Sequence, residues 1–214
     1  MEFVQFDEAW RVLRPVGVEV VSHTANELRL SLTENPQSSC FDIASSDHPA
    51  QARLPHDMPR IARGTLPTIV EAIVHKLHLT TAYVIPVGHW RQLFDGVAQG
   101  MASNEKWRAT DSEATVELNT RDALKFQPAE FHILRDLVKC VLAADDSATH
   151  GIAIATTGSP ILIEVMPAGE IAIYTGRSDL AALVRDLVAH ASAAKAPVTE
   201  SAEGSSARVS TKAK

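Results

Sequence analysis

The hydrophobic positions fall into short runs with two rhythms, one of about 3.6 residues and one of two. Residues 1–6 alternate weakly and read as a strand. Asp7 stands where a helix N-cap would, Trp10 and Leu13 follow at i, i+3, and Pro15-Val16-Gly17 ends the helix over 7–14. Residues 18–22 are rich in valine, residues 24–26 supply turn chemistry, and residues 28–32 alternate apolar and polar, which predicts a β-hairpin. Glu34-Asn35-Pro36 turns again, and residues 40–44 predict a further strand. The order is strand, helix, three strands.

The middle is less regular. Residues 46–63 carry Pro49, Pro55 and Pro59 and read as a long loop of functional interest. Ile69, Val70, Ile73, Val74 and Leu77 predict a helix over 66–79, residues 80–87 a buried strand and residues 89–97 a short helix; 100–111 is polar with no assigned element. A strand is then expected at 114–119 and a helix from Pro128 to about 144, followed by strands at 151–155, 161–165 and 170–174. Strand, helix and three strands have occurred a second time. The expectation is an α+β fold of two βαβββ units, at about 1–45 and 114–175, with helices on one face of an antiparallel sheet. Residues 46–112 are then an irregular central insertion in a domain spanning 1–176. An amphipathic helix over 177–192 follows, and the Ala/Ser/Lys-rich residues 193–214 read as a disordered tail.

Composition narrows the class. Of 214 residues, 45% are apolar and 21% charged, as in ordinary globular proteins, and the net charge is −6. That excludes a uniformly basic nucleic-acid coat but leaves room for a basic strip. The longest apolar runs fall short of a membrane span, and the start lacks the pattern of a signal peptide. With Cys40 and Cys140 a hundred residues apart, a disulfide framework is not expected, and an interior, reducing location is.

The stretches Glu130-Phe-His-Ile-Leu-Arg-Asp-Leu-Val-Lys139, Gly158-Ser-Pro-Ile-Leu-Ile-Glu-Val165 and Gly169-Glu-Ile-Ala-Ile-Tyr174 resemble the ending of DNA sliding-clamp subunits. Residues 9–13 through 32 are similar to a clamp's opening helix and hairpin. The tail is most like that of a DNA-damage checkpoint clamp subunit. The resemblance implies a non-catalytic, nuclear subunit of a ring that encircles double-stranded DNA without sequence preference. Its partners would be other clamp subunits, and checkpoint or repair proteins bound through the tail. It also implies roles for particular residues: Arg11, Arg14, His132, Arg135 and Lys139 would face DNA, where cations release counterions from phosphates. Ile171, Ile173 and Tyr174 would form a subunit edge, since free strand edges invite pairing. No cofactor and no metal are expected.

Two other classes fit the same residues. One is a small metal-dependent α+β enzyme with His48, His56 and Asp57 in loop 46–63. The other is an oligomeric adaptor that binds only protein. His75 and His78 are spaced i, i+3, but the sequence offers no third metal ligand, and Asp145-Asp146 reads as a solvated helix end. Cys140 reads as a small core residue and Gly158-Ser159-Pro160 as a turn between strands.

Overall fold

The computed structural model describes residues 1–24, 27–33, 39–76, 81–117, 122–144 and 150–193. Its ten strands are β1 (Glu2–Val4), β2 (Val18–His23), β3 (Leu28–Leu32), β4 (Ser39–Ser45), β5 (Arg60–Ile61), β6 (Ala82–Pro86), β7 (Ala123–Phe126), β8 (Ile152–Thr156), β9 (Ile161–Met166) and β10 (Glu170–Thr175). Its six helices are α1 (Phe6–Leu13), α2 (Leu66–Lys76), α3 (Trp90–Met101), α4 (Glu105–Glu117), α5 (Phe131–Ala143) and α6 (Ser178–Ala193). Eight strands form one sheet in the order β1-β7-β6-β8-β9-β10-β4-β5. Every neighbouring pair is antiparallel except β4 and β5, so the sheet is mixed. The chain is α+β.

Alternation along the strands divides the interior in two. Ala82, Val84, Leu124, Phe126, Ile152, Ile154, Ile161, Ile163, Val165, Ile171 and Ile173 face a core built with α2, α3, α5, α6 and Trp107 of α4. Tyr83, Ile85, Ala123, Ala153, Ala155 and Leu162 face the other way, toward α1 and the β2–β3 hairpin. The first side is filled by large aliphatic and aromatic residues. The second carries alanines at three strand positions, which lets a helix and a hairpin approach the sheet closely.

Both strand–helix–three-strand orders occur, as β1-α1-β2-β3-β4 and as β7-α5-β8-β9-β10. They do not form two equivalent layers. The strands β2 and β3 leave the main sheet and pair only with each other, because Val18, Leu28, Leu30 and Leu32 bury on the sheet's alanine-bearing face. Helices α1 and α5 consequently stand on opposite faces of the sheet, and not side by side as the repeat predicted.

The stretch 46–112, expected to be an irregular insertion, supplies central structure. Strand β6 lies between β7 and β8 and is buried at all five positions, as a strand covered on both faces must be. Helices α2 and α3 fill the larger core. Residues 114–117, read as the start of a strand, instead end α4. Asn104 Oδ1 accepts the Trp107 amide at 3.0 Å, capping that helix, while Trp107 and Thr110 bury one turn apart. The strand of this unit comes later, as β7. The sixth helix buries Leu180, Val184 and Val188, the last two in the same core, and is continuous with the domain. The expected turns at 34–36, the His78 position, Asp145-Asp146 and residues 194–214 lie outside the described residues.

Local chemistry explains the remaining ends. Asp7 and Glu8 occupy the first turn of α1, where acidic side chains complement the helix dipole, with Gln5 and not Asp7 at the cap position. Gly17, at φ 91°, closes the following 3₁₀ turn by donating its amide to Arg14 O at 3.0 Å. At α5, Gln127 and Glu130 form a reciprocal capping box ahead of the helix.

Candidate binding groove

The residues expected to face DNA are divided between the two sides of the sheet. Arg11 and Arg14 are exposed on and just after α1. His132, Arg135 and Lys139 are exposed on α5, across the sheet from them. Arg135 already has acidic neighbours, its Nη1 3.3 Å from Glu71 Oε2 and its Nη2 3.6 Å from Asp136 Oδ1.

The proposed subunit edge is corrected by the sheet order. Strand β10 pairs with β9 on one side and β4 on the other through all six residues, so it has no free edge. Ile171 and Ile173 are 1% and 0% exposed in the larger core, and Tyr174 projects to the opposite face.

The loop histidine reading also changes. His48 is 6% exposed; its Nε2 lies 2.8 Å from Glu170 Oε1 and its Nδ1 accepts the Ala50 amide at 3.1 Å. It therefore ties the loop to the end of β10. His56 and Asp57 are exposed, and among the described residues no three metal-ligating side chains converge. His75 lies edge-on to Phe131 and 3.9 Å from Glu71. Cys140 is half-buried beside the core, and Ser159 sits in the turn between β8 and β9, its carbonyl accepting Thr156 Oγ1 at 3.1 Å.

What the structure brings together instead is a groove along the outer edge of β3. The ladder partners alternate between inward and outward backbone groups. Thr33 N–H bonds Gly17 O at 2.7 Å and Thr24 N–H bonds Glu27 O at 2.9 Å, at opposite ends of the hairpin. Counting from both ends around the irregularity between Val20 and Ser22, Arg29 and Ser31 turn toward β2, while Leu28, Leu30 and Leu32 turn outward. Leu28 N–H confirms the sense, donating outward to Val87 O at 2.8 Å. Beyond it, among the described residues, the outer edge of β3 has no strand partner.

Two hollows share this edge as a wall. One, of about 380 Å³, is bordered by Leu28–Ser31, Val87, Glu164, Met166 and Tyr174. The other, of about 480 Å³, continues past Leu32 and Thr33 to Pro160 and Gly176. The first has Glu164, Met166 and Tyr174 of β9 and β10 as its floor, and the second is closed by the turns flanking those strands.

On that floor the register sets Ala153, Glu164, Ala172 and Asp42 in one cross-strand row, and Ala155, Leu162, Tyr174 and Cys40 in the next. Glu164 and Asp42 thus flank the short side chain of Ala172, two strand spacings or about 9–10 Å apart at their backbones. Tyr174 donates its hydroxyl to Glu164 Oε2 at 3.3 Å. Burial pushes the Glu164 carboxyl above its ordinary value; the Tyr174 hydrogen bond and the Arg29 guanidinium oppose this, and the Asp42 charge adds to it. Loss of solvation and the Glu164 charge raise the Tyr174 phenol. Cys40 is exposed, yet its thiol donates to Asp42 Oδ1 at 3.4 Å and is pushed up to about 12, first by loss of solvation and then by Asp42. Arg29, the cation on this side, is paired with Glu27 at 2.6 Å.

The sequence carried one sign of this site. Glu164 interrupts the apolar run Ile-Leu-Ile-Glu-Val, a carboxylate in a strand otherwise fit for complete burial. Its neighbours Asp42, Ala172 and Tyr174 come from two other strands, and only the register reveals them.

No protein-family model matches this chain, and no curated protein or solved structure matches it. Among the described residues no helix is long and apolar enough to cross a membrane.

Proposed function

We propose that this protein is a non-catalytic polypeptide-binding module that takes an extended segment of a partner protein along β3. The observation that carries the reading is the outward-turned backbone of Leu30 and Leu32 above a groove open along the strand. Strand addition supplies main-chain hydrogen bonds for affinity and side-chain hollows for selection. The bond from Leu28 to Val87 already begins such a pairing, so a segment continuing that line meets the outward positions in register, with the Leu32 carbonyl shared with the Ser31 hydroxyl at 3.3 Å. At roughly 3.4 Å per residue, the five residues of β3 present about 17 Å of edge. The site lacks an activated nucleophile: the Cys40 thiol at about 12 stays protonated at neutral pH.

The DNA-encircling reading has less to rest on. It needs two cationic helices side by side on one concave face, whereas α1 and α5 project from opposite faces. The protein-only adaptor alternative remains, and β3 gives it a contact surface.

The test is fluorescence anisotropy with labelled, unstructured peptides of about nine residues, long enough to cover the β3 edge. Saturable binding is expected to the wild-type chain. In Ala172→Trp, which sets an indole between Glu164 and Asp42 in the cross-strand row beside the groove, binding should weaken at least about tenfold while the melting temperature stays near wild type. Equal binding to both proteins would refute the groove as the site.

A further inference from the structure

Resting on the strand-addition reading, we infer that the groove selects an extended segment carrying a lysine or arginine, whose cationic group seats between Glu164 and Asp42 over Ala172. The charges on the floor are one-sided. Glu27 and Arg29 pair at the rim, and among the described residues neither Glu164 nor Asp42 forms an ion pair, the Arg29 guanidinium acting on Glu164 only at longer range. The polar contacts of the pair come from Tyr174 and Cys40, neither of which carries a positive charge.

Ala172 makes the seat. A larger side chain there would stand between the two carboxylates; alanine puts only a methyl group between them. Alanines at 153 and 155 continue the low floor beneath the hairpin. A basic side chain descending from a strand paired to β3 can bury its aliphatic stem along Leu30, Met166 and Tyr174 while its charged end reaches Glu164. The half-buried Glu164 then accepts a charge-assisted hydrogen bond, stronger than its contact with the neutral phenol. Asp42, exposed at the open side, attracts the same cation through solvent and favours encounter.

An acidic or neutral occupant fits less well. A carboxylate would add a third negative charge to the row. An apolar side chain would seal Glu164 from water without a new partner, at a cost that grows with the ionised fraction.

The experiment uses three synthetic peptides of about nine residues, alternating valine and threonine, that differ only at the central position: lysine, norleucine or glutamate. Titrated at neutral pH into the full chain, the lysine peptide should bind at least about tenfold more tightly than norleucine, with glutamate weakest. Glu164→Gln should erase most of the lysine preference. Asp42→Lys, at an exposed position with no risk to the core, should reverse the order of lysine and glutamate. Equal affinity of all three peptides, with binding still lost in Ala172→Trp, overturns the charge selection and leaves the polypeptide-binding reading standing. Absence of binding by all three peptides overturns both.

Discussion

At the scale of single residues, the most heavily engaged carboxylate is Glu130. Its Oε1 takes the Lys106 ammonium at 2.8 Å and the Met1 amine, and its Oε2 accepts the Gln127 amide at 3.0 Å. Burial alone would raise this carboxyl; the Lys106, Met1 and Gln127 contacts outweigh it and bring the group down to about 2 from an ordinary 4.5. The folded state therefore holds its proton less tightly than the unfolded chain. The stability this contributes is fully present above pH 4.5 and is lost as the pH falls from there toward 2. Glu130→Gln should cost on the order of 1–3 kcal/mol at pH 7, and urea titrations at pH 7 and pH 3 should show the gap to wild type narrowing in acid. A gap that is constant with pH would show that the carboxylate charge contributes nothing. The helix start was legible from Pro128, but the ammonium partners of Glu130 lie 24 and 129 positions away, beyond any local pattern.

At the scale of elements, the β2–β3 hairpin was legible because its signals are local: valines, turn residues, and an alternation that buries Leu28, Leu30 and Leu32 on one side. Helix α4 was not, because residues 114–119 alternate with period two while the helical spacing of Trp107 and Thr110 lies upstream in a polar stretch. Where the hairpin docks was equally hidden; that depends on alanines at 123, 153 and 155, spread over two other strands. Its two backbone edges should behave differently. In amide hydrogen exchange, Ser31, bonded to β2, should exchange more slowly than Leu30, whose amide points into the groove; peptide binding should slow Leu30 and Leu32 and leave Ser31 unchanged. Protection of Ser31 alone would place the ligand elsewhere. Leu30→Ala should destabilise the chain by about 2–4 kcal/mol, since Leu30 is buried between hairpin and sheet.

At the scale of the molecule, the fold is a sheet with two unlike faces, one sealed by α2 to α6 and one half-covered by α1 and the hairpin. The repeated element order was visible in the sequence, yet its spatial outcome was not, because which strands share a sheet is decided by long-range burial. The last helix tests how far the sealed face is one unit. The sequence placed a domain boundary near residue 176, but α6 buries Leu180, sets Val184 and Val188 in the core and holds Arg185 over the Phe41 ring, with 5.8 Å from the guanidinium carbon to the ring centroid. Full burial of each large aliphatic side chain is worth about 1.5–3 kcal/mol. Three of them sum to about 5–9 kcal/mol, comparable with the whole stability of a domain this size. A chain ended after Arg177 should therefore fail to give a cooperative thermal transition and should bind a hydrophobic dye. The full-length Asp186→Ala variant, altered at an exposed position of the same helix, should melt within a few degrees of wild type. A shortened chain that melts cooperatively near the wild-type temperature would make α6 an appendage and the remaining helices a sufficient cover for the sheet.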